Sequence, residues 1–299
     1  MNMDEASDVE VSMQEEMAWP ALSLLEAGDA RLEAFLGATR LHCTTPMGLQ
    51  VWHRFGSPLS PPLVLLHGGS GSWMHWLKNV VALSRTNCVY AVDLPSMGDS
   101  DVPTGAMDAD DLTSSLEMGF RALFKGEPVR VMGFSFGGLC AGLLGASAPQ
   151  LISELILVGA PGMGLFGPQL KLRGLTPSMD ESQVLAVMKH NLKVIMVADD
   201  VALDEFTLHL QYKNISRDRL RRRRLARSDV MVQLQTAWTF PVHTIWGELD
   251  ALYVGRLGEV WEKLNRCDLR THTLIEGAGH WVMYESAETF NAHVQNILK

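Results

Sequence analysis

Four cysteines in 299 residues, Cys43, Cys88, Cys140 and Cys267, stand far apart, with no C-x-x-C and no metal-ligand spacing. Their scarcity excludes a disulfide-dense scaffold and a thiolate metal site, and it sets the expectation of reduced thiols in a cytoplasmic protein. No apolar run approaches the length that crosses a bilayer, so no membrane partner is expected. The first sixteen residues carry Asp4, Glu5, Asp8, Glu10, Glu15 and Glu16 without a lysine or arginine, the reverse of a signal-peptide n-region. They read as a disordered acidic tail. A basic excess is missing too. The formal net charge of −9 repels a phosphate backbone, so no nucleic-acid partner is expected. Internal repeats and low-complexity linkers are absent.

What the chain does have is apolar material: 47% hydrophobic against 20% charged residues, enough for a substantial core. Short apolar or β-branched runs at 49–54, 63–66, 89–92, 129–132, 155–158, 242–245 and about 271–275 read as strands. Helical patterns alternate with many of them, the signature of a mostly parallel sheet covered on both faces. Ahead of the strands, Leu22, Leu25, Leu32, Phe35 and Leu36 recur at roughly helical spacing, which predicts a helix or a helix pair broken at Gly28. Packing on the core, covering a pocket and mediating a homodimer are the roles that pattern allows.

The strand rhythm stops between about residues 162 and 238, where 182–193 and 202–226 read as helices. The domain reading is therefore an N-terminal tail and helical extension over 1–40, an α/β core over 41–161 and 239–299, and a helical lid over 162–238. Residues 217–229 of the lid hold Arg217, Arg219, Arg221, Arg222, Arg223, Arg224 and Arg227 against Asp218 and Asp229. A solvated helix face paired with acidic neighbours is the plain reading of this run. The sharper one is that one or two of these arginines clamp a carboxylate-bearing substrate.

Chemistry concentrates at Gly133-Phe134-Ser135-Phe136-Gly137, between the 129–132 strand and a small-residue helix. Glycines on both sides give room for a strained strand-to-helix turn that projects a serine hydroxyl outward, while the helix N-terminus supplies positive potential. A serine hydroxyl needs a base, and the base needs an orienting acid. Among ten histidines, His280 is best placed, in the Gly277-Ala278-Gly279-His280-Trp281 turn after the last strand. His53 falls in a strand, and His190, His209 and His293 fall on helical patterns. Asp250 follows the 242–245 strand, with Glu248 as its rival. Leu65-Leu66-His67-Gly68-Gly69-Ser70-Gly71 ends another strand in a glycine-rich turn. There the Gly69 amide, together with that of Phe136, is the candidate oxyanion hole, each donor worth roughly 3 kcal/mol at the transition state.

The set His67-Gly68-Gly69, Asp93-Leu94-Pro95-Ser96-Met97-Gly98-Asp99-Ser100, Gly133 to Gly138, Trp246-Gly247-Glu248-Leu249-Asp250 and Gly279-His280-Trp281 resembles the α/β-hydrolase superfamily over about residues 41–299. The order Ser135, Asp250, His280 is the order of that fold. The resemblance implies an α/β fold with an eight-stranded, mostly parallel sheet, helices on both faces, a helical cap inserted after strand six, and no cofactor or metal. Serine at the elbow disfavours the dehalogenase and epoxide hydrolase branches, which use a carboxylate nucleophile. Asp93 reads as a structural anchor of its turn.

Within the superfamily, Gly279-His280-Trp281 with Glu285 to Asn291 looks like the meta-cleavage-product hydrolases, which cut a carbon–carbon bond in vinylogous 1,5-diketones. The chain departs from them at Phe134, where they have Asn, and at Gly68-Gly69-Ser70-Gly71, where they have a longer glycine run. The expected substrate is a small-molecule carboxylic ester with an apolar or aromatic acyl group, or, alternatively, such a diketone. A non-catalytic ligand-binding role is the third alternative. Arg173, early in the lid, is the candidate partner for a substrate carboxylate. Gly68, Trp73, Phe134 and Trp281 are candidate substrate contacts. They lie with Trp76, Phe136, Met163 and Phe166 in or beside the same loops, as cavity wall or as core.

Overall fold

The computed structural model describes residues 21–299 apart from Phe166 and Pro168. The acidic tail and Phe166 lie outside the described residues. Eight strands form one sheet: β1 (Thr39–Thr45), β2 (Gly48–Phe55), β3 (Pro62–Leu66), β4 (Cys88–Val92), β5 (Val129–Phe134), β6 (Ile152–Val158), β7 (Val242–Gly247) and β8 (Leu269–Ile275), in the order β1-β2-β4-β3-β5-β6-β7-β8. β1 with β2 and β2 with β4 pair antiparallel, and all remaining neighbours pair parallel. β5 is central and buried almost throughout, as expected for a strand covered on both faces.

Alternation along the strands sends side chains to two separate cores. Val64, Leu66, Val131, Leu155 and Leu157 face one, with α4 (Ala109–Phe124) and α5 (Phe136–Ser147) packed on it after the short helices α1 (Leu22–Glu26), α2 (Asp29–Phe35) and α3 (Val80–Leu83) have gone by in sequence. Leu63, Leu65, Met132, Phe134, Ile156 and Val158 face the other, with Leu25, Leu32, Trp73, Trp76 and Phe290. α4 earns its place through Leu112, Leu116 and Phe120 on one face, and its start is fixed by a capping box between Asp108 and Asp111. The N-terminal pattern forms a helix pair broken at Gly28, whose φ of 100° suits glycine.

Between β6 and β7 the chain contributes α6 (Glu181–Ile195) and α7 (Glu205–Ser216). Asp180 and Asp204 cap their first turns. The helix expected to continue to residue 226 stops at Ser216, and the arginine run is not a helix face. Its backbone is taken by the core instead: Arg219 N–H donates to Ser96 O (2.8 Å), Arg222 N–H to Met107 O (3.0 Å) and Arg224 N–H to Asp108 Oδ2 (2.7 Å). Tertiary hydrogen bonds override the helix propensity of arginine here. Among the described residues no helix is long and apolar enough to cross a membrane.

Candidate active site

The turn after β5 is tight because the sheet leaves no room for side chains beside it. A Cβ on Gly137 would lie 2.4 Å from Leu66 O, and one on Gly133 would lie 2.6 Å from Gly137 O. Ser135 takes up the bend with φ 49° and ψ −119°, a left-handed conformation rare for a residue with a side chain. Its own N–H donates to Val158 O at 2.7 Å, and its carbonyl accepts from Gly138 N–H. The hydroxyl therefore leaves the sheet at the head of α5.

Two further loops reach that hydroxyl. Asp250 follows β7 and is fully buried, and His280, in the loop after β8, is nearly so. His280 Nε2 stands 2.9 Å from Ser135 Oγ, and Nδ1 stands 2.8 Å from Asp250 Oδ2. A buried carboxylate accepts only from a protonated Nδ1, which leaves Nε2 to accept from the serine O–H. Leu252 N–H donates to the other Asp250 oxygen at 2.9 Å. Glu248, the rival acid, is exposed and accepts from Gly277 N–H at 3.0 Å, away from the imidazole.

Gly69 and Phe136 meet at the rim of the serine: a Cβ on Gly69 would lie 3.5 Å from the Phe136 Cβ, and both residues line the same cavity as Ser135 and His280. His67 pins the glycine turn from behind. Its Nδ1–H donates to Gly68 O (2.7 Å) and its Nε2 accepts from Leu94 N–H (2.9 Å), so the ring is neutral, and burial pushes its pKa down. Burial pushes His75 down to about 3, so it too is uncharged at neutral pH.

The cavity encloses about 750 Å³. Leu165, Leu170, Met188, Leu192 and Ile195 make its apolar wall, and Gln211, Arg223, Arg227 and Tyr253 add polar groups. Burial, reinforced by the charge of Asp250, pushes the Tyr253 phenol up, so its hydroxyl stays protonated; it donates to Ala160 O at 3.2 Å. None of these wall residues was singled out from sequence for this place, although Arg223 and Arg227 belong to the run flagged there. The signals for α6 in the sequence are the Asp180-x-x-Gln183 capping pattern and the apolar spacing of Met188, Leu192 and Ile195.

Several sequence-based contacts do not reach the cavity. Arg173 is exposed, its backbone tied to Asn191, and is absent from the lining. Trp73 is buried and stacks on His53 with ring centroids 4.6 Å apart. Trp281 is buried against Tyr284 at 4.0 Å and donates its indole N–H to His75 O. Trp76 packs on Phe290, and Met163 is buried in the core on the other side of the sheet. Phe134 points into the second core, where its ring abuts His75 and His280 and fills the space beside Gly68. Gly68 is therefore behind the cavity rather than on its wall. Phe134 ends β5 and Phe136 begins α5 beyond the bend at Ser135, so the two rings have different surroundings, and only Phe136 lines the cavity.

Sheet, strained serine turn and flanking loops define a class of protein, and the model of the Alpha/beta hydrolase family matches residues 63–293. The chain belongs to that family. It is 26% identical over 259 residues to the dihydrolipoyllysine-residue acetyltransferase component of an acetoin cleaving system from Pseudomonas putida, covering 83% of this chain and 66% of that one. It is 34% identical over 130 residues to a pimeloyl-[acyl-carrier protein] methyl ester esterase from Vibrio parahaemolyticus, covering 43% and 46%. A 2-hydroxy-6-oxononadienedioate/2-hydroxy-6-oxononatrienedioate hydrolase from Paraburkholderia phymatum is 27% identical over 266 residues, covering 79% and 86%. The chain thus spans 46% to 66% of the length of the first curated relatives it matches. Solved structures, a carboxylesterase from Bacillus subtilis among them (TM-score 0.69, 20% identity, 87% of this chain and 91% of that one), share the fold.

Proposed function

We propose that the chain is a serine hydrolase of carboxylic esters with an apolar or aromatic acyl group, working through Ser135, His280 and Asp250. The observation that carries this reading is the unbroken hydrogen-bond relay from the buried Asp250 carboxylate through His280 to the Ser135 hydroxyl, opening on an apolar cavity. His280 takes the serine proton as Oγ adds to the carbonyl carbon, while Asp250 holds the Nδ1–H tautomer and stabilises the imidazolium. Negative charge developing on the carbonyl oxygen is met by the amides of Gly69 and Phe136 at the positive end of α5. His280 then returns the proton to the leaving alcohol, and a water activated by the same ring releases the acyl group. The segment between β6 and β7 acts as the cap that gives the acyl chain its apolar wall.

Carbon–carbon hydrolysis of a vinylogous diketone is the second reading, favoured by the likeness to the Paraburkholderia hydrolase. The decisive comparison is wild type against Ser135→Ala on p-nitrophenyl butyrate, with a yellow 2-hydroxy-6-oxo-dienoate run alongside. Ester turnover should fall by roughly 10⁴ to 10⁶ in the variant with the melting temperature held. A variant as active as wild type ends the nucleophile assignment. Bleaching of the dienoate faster than the ester moves the reaction to the second reading.

A further inference from the structure

We propose that Arg223 is a specificity-determining residue that binds a carboxylate carried by the substrate close to the scissile carbonyl. The chain as a whole is acidic, at −9, yet among the described residues the cavity lining includes two arginines, Arg223 and Arg227, and no aspartate or glutamate. Arg223 stands beside Gly69 and Phe136. Its Nε lies 3.0 Å from where a Cβ on Gly69 would be, and its guanidinium carbon lies 5.5 Å from the centroid of the Phe136 ring. These are the two residues whose amides form the candidate oxyanion hole.

One edge of the guanidinium is already occupied. Nη2 pairs with Asp218 Oδ2 at 2.5 Å, and that same oxygen accepts from Ser70 Oγ at 2.6 Å, so the glycine turn and the arginine segment hold one another. Asp218 is fixed in turn by Leu220 N–H on its other oxygen. The pair therefore orients Arg223. It leaves Nε buried and, among the described residues, without a hydrogen-bond partner. The side chain as a whole is 31% exposed and lines the cavity, so its charge stays within reach of a ligand there. A carboxylate is the acceptor whose geometry and charge suit guanidinium best.

The carboxylate can sit on the acyl side of the ester or on the alcohol side, and two substrate pairs separate these. The acyl pair is p-nitrophenyl monosuccinate with p-nitrophenyl pentanoate. The alcohol pair is 3-acetoxybenzoate with phenyl acetate. The quantity read is the ratio of kcat/KM within each pair, so a general loss of activity does not count. Arg223→Gln should lower the charged-to-neutral ratio on the order of 10- to 100-fold in one pair, mainly through KM, and Arg223→Lys should restore part of it.

This proposal rests on the serine hydrolase reading only for where the carbonyl lies, and calorimetry separates the two. Monomethyl succinate and 3-hydroxybenzoate are titrated into Ser135→Ala and into Ser135→Ala with Arg223→Gln. Weaker binding of either carboxylate by a similar factor in the double variant supports the Arg223 site even if no ester is turned over. Equal binding of both, with both ratios unchanged by Arg223→Gln, overturns it while leaving ester hydrolysis standing.

Discussion

The serine turn at 133–137 and the arginine segment at 217–227 meet at one cavity, and they are held in place by opposite means. Backbone sterics shape the turn: Leu66 O and Gly137 O stand where side chains on Gly137 and Gly133 would be. The arginine segment has no regular structure between Ser216 and Leu225 and is held by charge and by borrowed hydrogen bonds. Arg217 Nη1 pairs with Asp29 (2.6 Å) and Asp99 (3.1 Å), Lys213 pairs with Asp29 (2.6 Å), and Arg219 donates to the carbonyls of Gly98 and Ser100. A steric constraint acts between residues a few positions apart, so it leaves a motif. An ion-pair net drawn from α2, the loop after β4 and the end of α7 leaves only a run of like charge.

That contrast can be broken at either end. The largest effect is expected at the relay: Asp250→Asn should lower kcat by about 10⁴ with KM little changed, because the imidazole loses its orienting acceptor. Glu248→Gln, measured in the same assay, should stay within a few-fold of wild type. Next, Gly137→Ala forces a methyl against Leu66 O and should destabilise the fold by about 3 kcal/mol in urea melts. Smaller again is the charge net. Asp29→Asn, at a site that is mostly but not fully buried, should cost about 1–2 kcal/mol.

The smallest effect is its pH dependence. Burial alone would raise the Asp29 pKa, but Arg217 and Lys213 outweigh it and hold the carboxyl below its ordinary 3.8. A depressed folded pKa means stability that is present in full above pH 3.8 and is lost as pH falls through the folded value. Urea melts should therefore show the gap between wild type and Asp29→Asn constant from pH 7 to 5 and closing below pH 3.8. A gap that does not narrow at all as pH falls below 3.8 would detach the net from Asp29.

Legibility in the sequence follows the same division. Seven strands, the helix pair broken at Gly28, and the loops bearing Ser135, Asp250 and His280 could be read from local pattern. β1 could not, because it is an edge strand in which only Cys43 is buried, so it has no apolar alternation to detect. The aromatic residues misled for a related reason. Trp73, Phe134 and Trp281 do sit in or beside the right loops, yet position along the chain does not say which side of a loop packs inward. Arg173 and Arg223 both lie between β6 and β7, and tertiary contacts with Ser70, Asp218, Gly69 and Phe136 single out the second.

The most direct measurement is labelling with a fluorophosphonate probe followed by peptide mass spectrometry, on wild type and on His280→Ala. A nucleophile made reactive by the imidazole predicts one adduct, on the peptide containing Ser135, and its near-complete loss in the variant. No adduct on Ser135, or equal labelling with and without the His280 ring, would contradict the account.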